Sequence, residues 1–587
     1  MATRDRLAGT DGEEAAMPAG TGASGPWLFG SLRGYRPAWV RSDLVAGFTV
    51  WAVLVPEALA YATIAGVPPV TGLYAAPAAL VLYAVFGSSR HLVVGPMSAT
   101  AALSAGVIGG VAGASGGDFV ALTTALAIVA GVVAVVAGLA RLGFLAGFIS
   151  EPVLKGFIVG LALTIIVGQL PKLFGIEKAE GDFFEKLWGV IRELGHVDLA
   201  DLTIGVLSLV IVLLLKRFVP LLPSSLIVVA LGVLAVALFG LDDHGVETVG
   251  DIAGGLPSLG LPDVPAHDYL ALAPGGIGIV LVGFAEGLGA AKTYATKAGY
   301  DVDANRELLG LGAANLGAGL SSGMVVNGSL SKTAVNGGAG ARSQVSGLMV
   351  AVLTILTLLF LTPLFEQLPE ATLGAVVIAA VIELVDIDAL RALFRVWSGR
   401  LGSIYGYAAR ADFLAALAAM LGVLVFDTLP GLFIGIGVSL LLLLYRASRP
   451  NIAVLGTVPG TRVWVDLERH PEARTVPGAL VVRVEGGIFF ANADHVRARV
   501  RELAAHHETV VLDAETVPFV DVTAARMLAE LAHDLDRKHA RLVVARDVGQ
   551  VRDVLRRSDV EAPPFDVYPT VRAALGEETG SDDQRNT

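Results

Sequence analysis

The sequence predicts a polytopic α-helical membrane protein with fourteen transmembrane segments in a seven-plus-seven inverted repeat, followed by a small α/β domain. Three observations carry this prediction. Of the 587 residues, 54% are hydrophobic and 16% charged, and the mean hydropathy is +0.69, far from the roughly quarter-charged composition of soluble domains. Apolar runs long enough to cross a bilayer follow one another from Trp51 to Arg446. Two runs are interrupted at matching places, Val93 to Ala101 and Val325 to Ala334.

A membrane helix needs about 20 apolar residues. In chain order the expected spans are 43–64, 70–86, 119–140, 149–170, 200–219, 224–240, 274–297, 305–322, 343–361, 371–386, 409–428 and 430–447. The interrupted segments, 96–112 and 328–339, are too glycine-rich to stand out alone, but the return crossings require them. Met1 to Gly25 is polar and lacks an apolar core, so the first membrane helix is expected to do its own targeting. With no cysteine in the chain, disulfides, thiolate catalysis and Cys-based metal sites are excluded.

Loop charge supports the even count, because cytoplasmic loops are enriched in Lys and Arg. With the N-terminus inside, the inner loops hold Arg90, Arg141, Lys216, Arg217, Arg306, Arg342, Arg391, Arg395, Arg400, Arg410, Arg446 and Arg449. The outer stretch Leu241 to Ala273 carries Asp242, Asp243, Glu247, Asp251, Asp263 and Asp268 without one Lys or Arg. The net charge of -12 is thus unevenly spread, and both ends are expected in the cytoplasm. The loop from Pro171 to Ala200 is mixed.

An odd number of crossings per half gives the halves opposite orientations, which is an inverted repeat. With one inserted residue, Gly95 falls on Gly328, Ser98 on Ser331, Thr100 on Thr333 and Ala101 on Ala334, with Lys332 opposite Ala99. A second match sets Val53-Leu54-Val55 before Glu57 against Val280-Leu281-Val282 before Glu286. Each half therefore offers an intramembrane glutamate on its first helix and a broken segment on its third. Such paired interruptions mark the binding site of a transporter.

After Pro450 the composition becomes that of a globular domain. Strand-like runs at 479–484, 509–512 and 541–545 alternate with amphipathic runs at 494–506, 523–538 and 548–558, which implies a mostly parallel sheet. The expected organisation is a cytoplasmic segment 1–42 with its first 25 or so residues disordered, a membrane domain 43–448, the α/β domain 449–575 and a disordered tail 576–587.

These stretches resemble the sulfate permease (SulP) family of anion transporters, whose members end in a STAS domain. The matching residues are Asp43 to Gly47, Val55 to Ala62, Gly72 to Ala75, Phe86 to Arg90, Gly143 with Phe144, and Pro152 to Phe157. More specific are Phe284-Ala285-Glu286, Asp303 to Leu308 and Gly328 to Asn336, and in the tail Gly487 to Ala493. The likeness runs over roughly residues 43–570. It implies core and gate subdomains, homodimers, and inward carriage of sulfate, bicarbonate or dicarboxylates, often with protons or sodium. Two departures stand out, since the family more often has Gln where this chain has Glu57 and Arg where it has Lys332. Lys is a point charge without the two-pronged geometry of Arg.

Each helix N-terminus carries about half a positive charge and several unpaired N–H groups. Two facing each other at Ser98 to Ala101 and Ser331 to Ala334 supply about one unit, and Lys332 brings the total to about two, the charge of a sulfate. The expected substrate site is Ser98, Ala99, Thr100, Ser331, Lys332 and Thr333, with Glu286 and Glu57 coupling a proton or sodium ion. The plainer readings are a snorkelling or capping Lys332, a structural ion pair of Glu286 with Lys332, and hydroxyls that only bond neighbouring helices. His244, His267 and the STAS histidines show no ligand spacing and are expected to be solvated. Thr523 lies near the turn where related anti-sigma-factor antagonists carry a phosphorylated Ser, and helix capping is the plainer role there.

The function expected is secondary active import of a small inorganic oxyanion, sulfate first, coupled to protons, in the plasma membrane. A bicarbonate or dicarboxylate carrier, a passive anion channel, and an anion-sensing protein whose STAS domain binds a cytosolic partner are the alternatives. No nucleophile–base constellation, metal cluster or P-loop is present. An enzyme, a catalytic residue, a cofactor, a metal and a nucleic-acid partner are therefore not expected.

Overall fold

A computed structural model describes residues 28–32, 34–115, 118–148, 150–179, 181–219, 223–241, 245–250, 252, 254–382, 385, 388, 391, 394–395, 408–426, 428–461, 463–547, 549 and 565–576. The expected disorder at the first 25 or so residues and at 577–587, the end of the 371–386 span, His244 and most of the expected 548–558 helix lie outside the described residues. The chain divides into two compact units, Met1–Asp386 with Met420–Leu432, and Ile387–Ala419 with Phe433–Thr587.

The first half of the membrane region runs α1 (Val40–Ile64), α2 (Pro69–Phe86), β1 (Val93–Gly95), α3 (Ser98–Ser115), α4 (Phe119–Leu139), α5 (Glu151–Phe174), α6 (Phe183–Glu193), α7 (Leu199–Phe218) and α8 (Ser224–Phe239). The second runs α9 (Ala266–Ala298), α10 (Ala304–Leu320), β2 (Asn327–Ser329), α11 (Leu330–Gly338), α12 (Val345–Leu356, continued by a π-turn to Leu361), α13 (Pro363–Glu366), α14 (Glu370–Ile382), α15 (Ala408–Phe426) and α16 (Thr428–Ala447). Apart from α6 and α13, both halves follow one succession: two helices, a short strand leading into a third helix, then four more. Seven helices among the described residues are long and apolar enough to cross a membrane, and five shorter ones are also apolar.

Two features depart from the sequence reading. The mixed loop after α5 contains α6, closed at its start by a capping box in which Asp182 accepts from the Glu185 amide and Glu185 accepts in return. Helix α9 begins at Ala266, a full two turns before the expected 274, because Pro265 ends the preceding loop and leaves its ring outside the helical ladder.

In the first unit, α1 to α4 pack with α9 to α12, while α5, α7, α8 and α14 pack among themselves. Close approach of α4 and α10 depends on missing side chains. A Cβ at Gly312 would stand 2.8 Å from the Val135 amide nitrogen and 2.9 Å from the Gly131 carbonyl oxygen. Small residues at such crossings let backbones touch where lipid offers no hydrophobic drive.

In the second unit six strands, β3 (Asn451–Thr457), β4 (Trp464–Asp466), β5 (Ala479–Glu485), β6 (Thr509–Asp513), β7 (Arg541–Ala545) and β8 (Asp566–Tyr568), form a sheet in the order β4-β3-β5-β6-β7-β8. From β5 to β8 the pairing is parallel, and β3 joins antiparallel. Val482, Val484, Leu512 and Val544 pack with α17 (Ala493–Leu503) and α18 (Val522–Asp536) through Val496, Val500, Leu528 and Leu531. Strands β4 and β8, three residues each, are too short to announce themselves in sequence, and β3, which follows α16 after three residues, is not among the expected runs.

Candidate anion site

The two interrupted segments meet. β1 and β2 pair antiparallel, with Val93 opposite Ser329, Val94 opposite Gly328 and Gly95 opposite Asn327, and each leads within three residues into a helix start. Pairing satisfies part of the strand backbone where lipid could not. Several buried side chains hold the junction from outside. Asn315 of α10 donates to the Val326 carbonyl at 2.9 Å and accepts from the Val326 amide at 3.0 Å. On α9, Gly283 and Gly287 let β2 lie close: a Cβ at 283 would stand 2.9 Å from Asn327 Cγ, and one at 287 would stand 3.4 Å from Gly328 Cα.

Lys332 lies at this junction and is 1% exposed. Its ammonium donates to the Pro96 carbonyl at 3.2 Å, two residues before α3 begins, and sits over the Tyr61 ring at 5.0 Å. It is 2.6 Å from Glu57 Oε2 on α1, a carboxylate that is itself 6% exposed. The plainer sequence reading paired Lys332 with Glu286; the ion pair in the structure falls on Glu57. Glu286 Oε2 is buried and has no hydrogen-bond partner among the described residues.

The other expected residues take different positions around this pair. Ser98, Ala99 and Thr100 are buried at the start of α3, and the Thr100 hydroxyl donates to its own Met97 carbonyl at 3.3 Å. That hydroxyl hydrogen is therefore spent, and Thr100 offers its backbone N–H. Ser331 is exposed, with its hydroxyl 3.2 Å from that of Ser329. Ser329 caps α11 by accepting from the Lys332 amide at 3.2 Å. Thr333 Oγ1 accepts from the Val93 amide at 3.1 Å, which ties α11 to β1. The hydroxyls expected to ring an anion are thus divided between building the junction and facing it.

A polar hub that the sequence reading assigned no role secures the base of β1. Glu307 of α10 is fully buried and accepts from the Tyr83 hydroxyl at 2.6 Å, the Ser88 amide at 2.8 Å, the Ser88 hydroxyl at 2.7 Å and the Ser89 amide at 2.9 Å. Beside it, His91 bridges the Tyr300 hydroxyl and the Ala341 carbonyl, each at 3.0 Å. Asp43 accepts from the Arg342 amide at 2.6 Å and the Ser343 hydroxyl at 2.7 Å. The signal was present in Asp43 and Glu307, acidic residues inside apolar helices, where ionisable groups are costly enough to need a reason.

In the STAS-like unit Asp521 caps α18 by accepting from the Ala524 amide at 2.8 Å and also accepts from the Phe490 amide at 2.9 Å. Thr523 is left exposed in the first turn, outside the cap. His267 is exposed beside Asp268. Among the described residues no group of three His, Cys, Asp or Glu side chains could hold a metal ion.

Comparison with known proteins agrees with this architecture. Residues 40–401 match the sulfate permease family and residues 470–574 match the STAS domain. A probable sulfate transporter of Mycobacterium tuberculosis is 35% identical over 546 residues, covering 92% of this chain and 95% of that protein. The chloroplastic sulfate transporter 4.1 of Arabidopsis thaliana is 32% identical over 551 residues, covering 90% of this chain and 78% of that protein. Among solved structures, murine solute carrier 26 family member A9, an anion transporter in the inward-facing state, has the same fold, with TM-score 0.82 at 22% identity over 96% of both chains. The transmembrane domain of a cyanobacterial bicarbonate transporter superposes with TM-score 0.56 at 22% identity over 65% of this chain and 97% of that one. The chain is a multi-pass membrane protein of the sulfate permease family with a C-terminal STAS domain.

Proposed function

We propose that this protein is a secondary active transporter, not an enzyme, that imports a small inorganic oxyanion, sulfate first, in symport with protons. The observation that carries the reading is the Lys332 ammonium, buried where α3 and α11 begin and 2.6 Å from Glu57. The anion is held by the free N–H groups of Ser98, Ala99 and Thr100, by the Ser98, Ser331 and Thr333 hydroxyls, and by Lys332. Relatives named as sulfate transporters, alike along nine-tenths of the chain, support that substrate.

Glu57 supplies the coupling. While no anion is bound, it neutralises Lys332. An anion that draws the ammonium to itself leaves the Glu57 carboxylate unpaired beside a second negative charge. A proton taken up by Glu57 removes that repulsion, and one on the unpartnered Glu286 does the same. Anion and proton then raise each other's affinity by one common factor, as linkage requires. The loop charges support an orientation with both termini in the cytoplasm, the plasma membrane is where an importer would act, and a homodimer follows the family resemblance.

The test is uptake of labelled sulfate by purified protein in liposomes, with acid outside. Sulfate uptake is expected to rise with an inward proton gradient, Lys332→Gln to abolish it, and Glu286→Gln, which leaves only Glu57 to take up the proton, to keep anion binding while losing part of its pH dependence. Unchanged proton-driven uptake by Glu286→Gln overturns its role. Stimulation by sodium alone overturns proton coupling, and current without a coupled gradient makes the protein a channel. Stronger competition by bicarbonate or a dicarboxylate reassigns the substrate.

A further inference from the structure

A second cavity lies in the half of the bundle beyond the helix starts. It encloses about 280 Å³ between α1, α3 and α5 and is lined on α1 by Thr63 and Ile64 at the end of that helix. That volume admits several waters at about 30 Å³ each. Its wall on α3 is Ala102, Ala105, Gly106, Gly109 and Gly110. These positions continue the helical stripe that starts at Ser98, since residues three, four and seven apart share a face. The floor of the cavity therefore leads to the helix start placed in the anion site.

Two lysines reach this cavity, Lys178 in the loop after α5 and Lys186 on α6. α6 sets the second by its amphipathic roll. Phe184, Trp188 and Ile191 are exposed on one face, at 52%, 66% and 49%, and Lys186 lies on the opposite one. Neighbouring Glu177 and Glu185 do not line the cavity, so among the described residues its charged lining is cationic. Gln169, also in the wall, is 6% exposed and its Oε1 has no hydrogen-bond partner among the described residues. Turned over, the amide would bring its NH₂ group to that unpartnered position, where it could donate to an anion. Cβ atoms built at Gly109, Gly110 and Gly168 meet nothing within 4 Å, so the glycines keep the space open.

We infer that this cavity is an outer anion subsite, in which Lys178 and Lys186 concentrate a small oxyanion and Gln169 orients it before it passes along α3 to the central site. The inference rests on reading the chain as an anion carrier. A cleft of one charge sign with low-dielectric walls raises the local concentration of its counter-ion, with rate effects of about 10- to 1000-fold that fade with salt.

The natural chain has no cysteine, which permits a test that needs no transport. Gly109→Cys and Gly168→Cys place a lone thiol in the cavity, and Leu259→Cys, on a loop residue 81% exposed, serves as reference. Each thiol is reacted with the anionic sulfonatoethyl and the cationic trimethylammonioethyl methanethiosulfonates. The anionic-to-cationic rate ratio is expected to exceed the reference by roughly tenfold and to return to it when Lys178→Gln and Lys186→Gln are added. Lys178→Arg with Lys186→Arg should restore it, and millimolar sulfate should slow the anionic reagent in the cavity but not at the reference. A ratio indifferent to the lysines, or a thiol that sulfate does not protect, overturns the subsite. In liposomes the double Gln variant should raise KM for sulfate several-fold at low salt without lowering kcat. If the wild type carries no anion yet the ratio responds to the lysines, the carrier reading fails while the subsite stands.

Discussion

Lys332 is among the largest fully buried side chains in the molecule. Its charge is balanced by the Glu57 carboxylate, the Pro96 carbonyl and the Tyr61 face. Breaking a buried pair by removing one partner costs about 3–5 kcal/mol, whereas replacing both with neutral groups can be nearly free. Lys332→Met should therefore lower the thermal unfolding midpoint sharply in detergent, because it strands the Glu57 carboxylate. Glu57→Gln together with Lys332→Met should recover most of that loss while binding no anion. A double variant as unstable as Lys332→Met would show that the cost lies in packing against Tyr61 and not in the charge. The cycle separates what the pair does for the fold from what Lys332 does for the substrate.

At the scale of elements, the contact of α4 with α10 makes the opposite kind of demand, since it depends on groups that are missing. Replacing an exposed helical Gly by Ala gains up to about 1 kcal/mol from propensity, but forcing one methyl into a filled interface costs about 1–3 kcal/mol. The Gly312 position admits no Cβ, since Val135 and Gly131 backbone atoms lie under 3.0 Å away. Gly312→Ala should thus lower the midpoint, while Gly437→Ala on α16, with nothing within 4 Å, should hold or raise it; equal shifts would refute close packing at this crossing. Apolar length explains why most helix ends could be read from sequence: α2 spans Pro69–Phe86 against an expected 70–86, and α4 spans Phe119–Leu139 against 119–140. α6 could not be found that way, because a search for spans of about 20 residues passes over an eleven-residue helix. Its signal was the Asp182–Glu185 capping box with Phe184, Trp188 and Ile191 at helical spacing. In the candidate site, the two broken segments and Lys332 were legible from local pattern. The Glu57 pairing, the Tyr61 face and the Pro96 carbonyl were not, because partners so distant in the chain are joined only by the packing of α1 against α11 and the pairing of β1 with β2.

For the whole molecule, the arrangement depends on parity. Seven crossings between the start of α1 and the loop after α8 turn the second half over, which is what allows β1 and β2 to meet antiparallel at one depth and the two helix starts to face a common point. Any even number would align the halves, so that the two segments would run parallel and their helix starts would point the same way instead of toward each other. With that parity the 241–265 loop is expected outside, as its lack of Lys and Arg also suggests, and the STAS domain is expected inside. Because the chain has no cysteine, single thiols report this directly. Leu259→Cys, in that loop, should react with a membrane-impermeant maleimide on intact cells. Lys538→Cys, exposed in the turn after α18, should react only after the membrane is opened. The reverse pattern would invert the orientation and with it the direction of anion flow through the site. Labelling of both thiols from one side would mean an even number of crossings between them, and neither the inverted repeat nor a site shared by Ser98 and Ser331 could then stand.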